Sequence, residues 1–147
     1  MLADTSFDAK RRLEDSTVKL SYLLEFTIND GQLEVFKEKV TGYIKAVREG
    51  EARTLTYEWS FEESRNRCKL LEVFETSDAL LTHFGNVGPS LPDLTAIAPI
   101  TRLETFCEVS TEARAAVGTL GAKHFADFAG FTRTIRPLVG ELVIVAG

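Results

Sequence analysis

The sequence predicts an α+β domain with one antiparallel sheet, built from two strand–helix–strand units in the ferredoxin-like βαββαβ arrangement. Apolar and polar residues alternate along 20–28 and again along 55–61, which is the period of a strand. Between these segments the apolar residues recur at spacings of three and four, the period of an amphipathic helix. Strand, helix and strand then follow once more, and right-handed crossovers place both helices on one face of the sheet.

The first unit runs from Val18 to about residue 62. Its first strand ends at Asn29-Asp30-Gly31, where Asn29 and Gln32 resemble a capping box for the next helix. That helix is expected to end near Gly50, and the second strand follows.

The second unit begins after a polar hairpin loop at 63–67. A buried strand at 69–75 passes into a helix that Thr76-Ser77-Asp78 can cap. Glycines and prolines over 85–99 predict a surface loop rather than a long helix. A fourth strand at 100–109 and a short helix capped at Ser110 complete the unit.

The 147 residues have the length of a single domain. We expect a polar leader at 1–17, the folded domain at 18–133 and a C-terminal extension at 134–147. The extension contains a β-prone run at 142–146, which is predicted to pair with a sheet edge, for example that of a partner subunit.

Composition limits the classes of partner. Hydrophobic residues make up 44% and charged residues 27%, as in soluble globular proteins. The formal charge of −5 gives no support for binding nucleic acid or an anionic membrane. No signal peptide or membrane-spanning run is recognisable, so a cytoplasmic protein is expected, and Cys68 and Cys107 are predicted to be thiols rather than a disulfide.

Glu72 is the first candidate for chemistry, since it lies mid-strand in phase with Leu70 and Phe74. A carboxylate on an apolar strand is costly unless it is hydrogen-bonded, charge-paired or hydrated. It could be a general base whose pKa is raised by desolvation. It could equally be a structural carboxylate that pairs with Arg102, Tyr22 or a backbone amide.

His83 is the second candidate and lies about one and a half turns into the following helix. An imidazole there could orient a substrate, accept a proton or ligate iron, or it could be a surface or capping histidine. His124 is the only other histidine, and no metal-ligand spacing is present, so no metal site is expected. No glycine-rich phosphate loop is present either, and no cofactor is expected.

Aromatic residues provide candidates for a substrate pocket. Tyr57 and Trp59 share one strand face, where they could stack on a flat aromatic ligand or pack in a core or dimer interface. Three further aromatics in the tail are predicted to form a hydrophobic latch that holds the C-terminal arm: Phe125, Phe128 and Phe131.

Both faces of the predicted sheet carry large apolar side chains. Four of them would be exposed if they lay on the face without helices: Tyr57, Trp59, Leu70 and Phe74. A second copy packed sheet to sheet would cover them, so a homodimer is expected.

Two stretches resemble a known family. Leu71-Glu72-Val73-Phe74-Glu75, followed by Ser77-Asp78-Ala79-Leu80-Leu81-Thr82-His83, resembles the strand-to-helix signature of antibiotic biosynthesis monooxygenase (ABM) domains, members of the dimeric α+β barrel superfamily. The tail segment Ala129-Gly130-Phe131-Thr132-Arg133 also resembles the ending of a subgroup of ABM-like proteins. The resemblance covers residues 18–133, and the sequence departs from the family pattern directly after His83.

The resemblance implies a homodimer in which each subunit encloses a cavity. Some ABM relatives oxygenate phenols or quinols without metal, flavin or haem, and others degrade haem. By position, Glu72 and Phe74 match the family's barrel-facing strand residues, and His83 matches its helix histidine. The candidate catalytic residues are therefore Glu72 and His83, and the candidate pocket residues are Tyr22, Tyr57, Trp59 and Phe74. The expected function is a cofactor-independent monooxygenase for a small aromatic or quinol-like compound. The alternatives are a non-catalytic homodimeric module that binds a small apolar ligand or is purely structural, and a haem-degrading enzyme.

Overall fold

The computed structural model describes residues 19–131 and residue 133. The expected leader at 1–17 and extension at 134–147 lie outside these residues. The described strands are β1 (Leu20–Thr27), β2 (Thr54–Phe61), β3 (Arg67–Phe74), β4 (Ile100–Phe106) and β5 (Lys123–Phe125). The α-helices are α1 (Leu33–Gly50), α2 (Ser77–Val87), α3 (Leu91–Thr95) and α4 (Thr111–Gly118), with one 3₁₀ turn at Gly88–Ser90.

The strands form one sheet in the order β2-β3-β1-β4-β5. The pairs β1–β3, β1–β4 and β2–β3 are antiparallel, which confirms the predicted ferredoxin-like α+β fold. The short β5, which was not predicted, adds to the sheet parallel to β4.

One face of the sheet forms the core with the helices. Alternate residues of β1 are buried, and so are the residues of β3 that share their face: Leu20, Tyr22, Leu24, Phe26, Cys68, Leu70, Glu72 and Phe74. Phe36 and Val40 of α1 and Leu80 of α2 pack onto this face. Tyr57, Trp59, Leu70 and Phe74 therefore lie beneath the helices, so it was wrong to expect them on the uncovered face.

Most of the segment 85–99 is helical, as far as Thr95, which corrects the predicted surface loop. α2 continues through Gly85 to Val87, and the 3₁₀ turn and α3 follow directly. Pro89 and Pro92 are the second residues of these two short elements, and a missing backbone N–H costs little in the first turn of a helix. Leu94 and Ala98 are buried and anchor the segment to the core.

Helix starts agree with the sequence at two of three positions. The hydroxyls of Thr76 and Ser110 accept backbone N–H groups at the starts of α2 and α4. The capping box at Asn29 does not form, because Gln32 occupies the cap position of α1 without a side-chain bond. Instead the Gln32 N–H donates to the Asn29 carbonyl in a tight turn.

The predicted aromatic latch does not form in the described part of the tail. Phe128 is 100% and Phe131 80% exposed. Only Phe125 has an aromatic partner there, since it stacks on Phe106 with 5.5 Å between ring centroids. Cys68 and Cys107 are free thiols, as expected. None of the described helices combines the length and the apolar character needed to cross a membrane.

Candidate functional site

A cavity lies between the core face of the sheet and the helical layer. The enclosed part of the cavity has a volume of about 40 Å³, which is room for a few water molecules. The volume is about 470 Å³ when the solvent-filled mouth is included. The walls combine sheet residues with residues of the helices and of the tail that follows α4: Tyr22, Leu24, Phe26, Tyr43, Tyr57, Trp59, Leu70, Glu72, His83, Phe84, Val87, Gly88, Leu91, Leu94 and Leu120. Both predicted catalytic residues thus reach the same mainly apolar space.

Glu72 lies at the centre of the sheet face that lines this cavity. Strand register places it between Tyr22 on β1 and Tyr57 on β2, so three polar side chains form one row across the sheet. Glu72 is only 1% exposed. Its alternation with Leu70 and Phe74 explains the orientation, since successive strand residues face opposite sides.

His83 comes to Glu72 from the helical layer and is 5% exposed. Its Nε2 lies 2.7 Å from Glu72 Oε1, which is the distance of a close ion pair. The partner of Glu72 is therefore His83, and neither Arg102 nor Tyr22 fills that role. The surface or capping role that was considered for His83 is wrong.

Glu51 is a third member of the cluster, which the sequence did not reveal. It follows α1, is 6% exposed, and lies 2.8 Å (Oε1) and 3.1 Å (Oε2) from His83 Nδ1. Thr54 Oγ1 donates to its Oε1 at 2.7 Å, and Asn86 Nδ2 donates to its Oε2 at 2.8 Å. No periodic pattern marks a residue at a helix end as buried, so only the fold brings Glu51 to the site.

Charges in this cluster shift three pKa values. Burial favours a protonated Glu51, but hydrogen bonds from His83, Thr54 and Asn86 outweigh it and lower the pKa of Glu51. Burial would lower the pKa of His83, yet the Glu72 charge and the bond to Glu51 raise it to about 9. Burial raises the pKa of Glu72 above its ordinary value, and the charge of His83 only partly opposes this.

The shifts of Glu72 and His83 describe one shared proton. Whether that proton lies on Nε2 or on Glu72, the three groups carry a total charge of −1, with Glu51 ionised and Nδ1–H donated to it. The cluster can therefore accept one more proton at Glu72 and become neutral. Both imidazole nitrogens lie against carboxylates, which leaves neither free to bind iron.

Two buried polar atoms at the cavity have no hydrogen-bond partner among the described residues: Tyr22 Oη and Trp59 Nε1. The Trp59 N–H lies near enough to the Tyr57 hydroxyl to affect the pKa of Tyr57, but the geometry falls short of a hydrogen bond. Burial, reinforced by the Glu72 charge, raises the pKa of both Tyr22 and Tyr57, so both phenols stay neutral. Since buried polar groups nearly always find partners, these atoms indicate a site for a polar ligand.

Of the remaining aromatic candidates, some line the cavity and one packs behind it. Tyr57 packs edge-on to His83 with 5.6 Å between ring centroids. Trp59 lines the cavity and also stacks on Phe26 at 5.5 Å, so it serves both roles that the sequence left open. Phe74 is fully buried behind the imidazole, 5.2 Å from it, and is not part of the cavity wall.

Comparison with known proteins identifies the fold through structures alone. The sequence matches no protein-family model and has no significant match among curated proteins. MupZ from Pseudomonas fluorescens is similar in structure with a TM-score of 0.68 and 23% identity, over 78% of this chain and 94% of MupZ.

Two further solved structures carry functional names. SnoaB from Streptomyces nogalater, described as a cofactor-independent oxygenase, has a TM-score of 0.54 and 15% identity over 64% of this chain and 96% of SnoaB. A Caulobacter crescentus protein, provisionally named an antibiotic biosynthesis monooxygenase, has a TM-score of 0.55 and 15% identity over 63% and 91%. The chain thus has the fold of the antibiotic biosynthesis monooxygenases.

Proposed function

We propose that this protein is a cofactor-independent monooxygenase for a small aromatic or quinol-like compound. The observation that carries the proposal is the buried Glu72–His83 pair at an apolar cavity with unpartnered polar atoms. The cavity wall is mainly apolar with a few polar groups, which is the composition of small-molecule sites. The name of SnoaB, a cofactor-independent oxygenase of the same fold, supports this reaction class.

The chemistry begins with a proton. Glu72, with His83 beside it, accepts the proton of a substrate hydroxyl, and the resulting aryloxide is a much better electron donor than the phenol. The aryloxide reduces dioxygen, a carbon–oxygen bond forms, and the hydroperoxide loses water. For a quinol the balance is quinol plus O₂ giving hydroxyquinone plus water, with all four electrons from the substrate. Tyr22 Oη and Trp59 Nε1 are placed to donate hydrogen bonds to substrate oxygens.

Oxygen uptake tests this reaction. A panel of quinols and hydroxylated anthrones should give stoichiometric O₂ consumption that persists with a chelator and without added flavin. Glu72→Gln and His83→Ala should each lower kcat/KM by at least about 100-fold, the usual contribution of a positioned acid–base group. Glu38→Gln is the matched control, because Glu38 is exposed on α1 and does not line the cavity. Full activity in Glu72→Gln would refute the proposal.

A non-catalytic module is the second candidate, because the imidazole of His83 already pairs with both carboxylates, Glu51 and Glu72, which a purely structural cluster would also do. Saturable binding of the same compounds without oxygen uptake would support the module and contradict the monooxygenase. Calorimetry with the panel, run anaerobically, measures that binding separately from turnover.

A homodimer completes the proposal. The uncovered sheet face has an apolar centre formed by Leu23, Leu71, Val73 and Phe106. Charges of both signs border this centre: Glu25, Arg67, Lys69, Arg102 and Glu104. A second copy turned about a two-fold axis would cover the apolar centre and could match opposite charges across the interface.

A further inference from the structure

We infer that Glu51 is a positioning residue, which holds the Nδ1–H of His83 and so directs Nε2 toward Glu72 at the cavity. The catalytic importance of Glu51 rests on the proposed function. The contacts of Glu51 and the test described below do not depend on it. The arrangement is a chain of three side chains from three elements: the end of α1, helix α2 and strand β3.

The contacts of Glu51 are what a positioning role requires. Both of its oxygens lie within hydrogen-bond distance of Nδ1, and each also receives a hydrogen bond from a second residue, Thr54 or Asn86. Asn86 lies on α2 one turn after His83, so it ties the carboxylate to the same helix that carries the imidazole. The rotamer of Glu51 is therefore fixed from two sides.

The orientation of the imidazole follows from these contacts. A neutral imidazole has one N–H, and the carboxylate at Nδ1 favours the tautomer in which Nδ1 carries it. Nε2 is then available to take the shared proton from Glu72 or to return it. Without the Glu51 charge, the imidazole would lose this preference, and the proton at Nε2 would be held less strongly.

Glu51 and Glu72 are the charged groups that dominate the surroundings of His83. The other titratable side chains near the cluster are Tyr57 on β2, Tyr22 on β1 beside Glu72, and Tyr43 on α1, all neutral at physiological pH. The ion pairs of His83 among the described residues are with Glu51 and Glu72 only. Removal of the Glu51 charge should therefore be detected at His83.

Imidazole NMR titration of the full chain tests the inference. The protein has two histidines, so His124 serves as an internal reference. Glu51→Gln keeps the shape and an acceptor oxygen but removes the charge, and the midpoint of His83 should fall by at least about one pH unit. Glu49→Gln is the matched control: it removes the same charge from an exposed position two residues earlier and should leave His83 unchanged.

Glu51→Asp provides a second measurement if the glutamine variant does not fold. Aspartate keeps the charge but is shorter, so its oxygens withdraw from Nδ1, and a midpoint between wild type and Glu51→Gln is expected. A His83 midpoint equal to wild type in the folded Glu51 variant, in either form, would overturn the inference. Absence of oxygen uptake in the wild type would instead refute the proposed function and leave the titration result standing.

Discussion

At the residue scale, the cost of burying Glu72 is offset by a single imidazole. An isolated carboxylate in an apolar interior would be neutral, because desolvation disfavours its charged form. His83 supplies a compensating charge 2.7 Å away, and Glu51 stabilises that charge from the other side. His83 and Glu51 thus lower the free-energy cost of burying Glu72, and they also hold a transferable proton at the cavity.

This coupling predicts a pH dependence of stability. The folded pKa of His83, about 9, is above its ordinary value of 6.5, so its protonation stabilises the fold fully below about pH 6.5. That stabilisation should decrease as pH rises from 6.5 through 9. We therefore expect the Tm, measured by thermal unfolding between pH 6 and 9.5, to fall as the pH rises.

A His83→Gln/Glu72→Gln double variant is the control, since it avoids leaving two buried carboxylates without a cation. It retains the other titrating groups, including Cys68, whose pKa burial raises to about 11. Across this pH range, the Tm of the wild type should decrease by more than the Tm of the double variant. Equal slopes in the two proteins would contradict the shifted pKa of His83.

At the element scale, α2 sets the position of His83 relative to the sheet. Thr76 begins the helix: its hydroxyl accepts the Ala79 N–H at 3.3 Å and a hydrogen bond from Arg53 Nη2 at 2.8 Å. Ser77 Oγ also accepts the Ser110 N–H, which ties the start of α2 to the start of α4. The strand-to-helix junction is therefore fixed by local side-chain bonds.

Removal of the Thr76 cap should destabilise the protein. Thr76→Ala loses the acceptor for the Ala79 N–H, and the expected cost is about 1 kcal/mol of unfolding free energy. Thr76→Ser keeps the hydroxyl and should stay close to wild type. Urea denaturation followed by circular dichroism compares the three proteins, and an equal loss in both variants would show that the cap bond does not matter.

The sequence predicted those parts of the site that depend on local pattern. Alternation placed Glu72 with Leu70 and Phe74, and cap residues placed the start of α2. Alternation does not tell which face the helices cover, so Tyr57 and Trp59 were assigned to the wrong side of the sheet. Glu51 depends on packing between residues 32 apart in the chain, for which no local pattern exists.

At the scale of the whole molecule, the described helices cover one sheet face, and none of them lies on the other, the open face. On the open face, Leu71 is 40% and Phe106 36% exposed, while Leu23 and Val73 are half-buried. Leu23 and Leu71 are direct cross-strand neighbours, so these side chains form one continuous patch. Exposed apolar patches of this kind mark association surfaces.

We expect the protein to be a dimer through this face. Light scattering coupled to size-exclusion chromatography, at about 10–100 μM, should give twice the chain mass of 16.3 kDa. Leu71→Arg places a charge at the centre of the patch and should shift the protein to a monomer. Val35→Arg is the matched control, because Val35 is 42% exposed but lies on α1, away from the sheet, and it should remain dimeric. A wild-type monomer, or a dimer that Leu71→Arg leaves intact, would exclude this interface, since a charge buried there without a partner would oppose association.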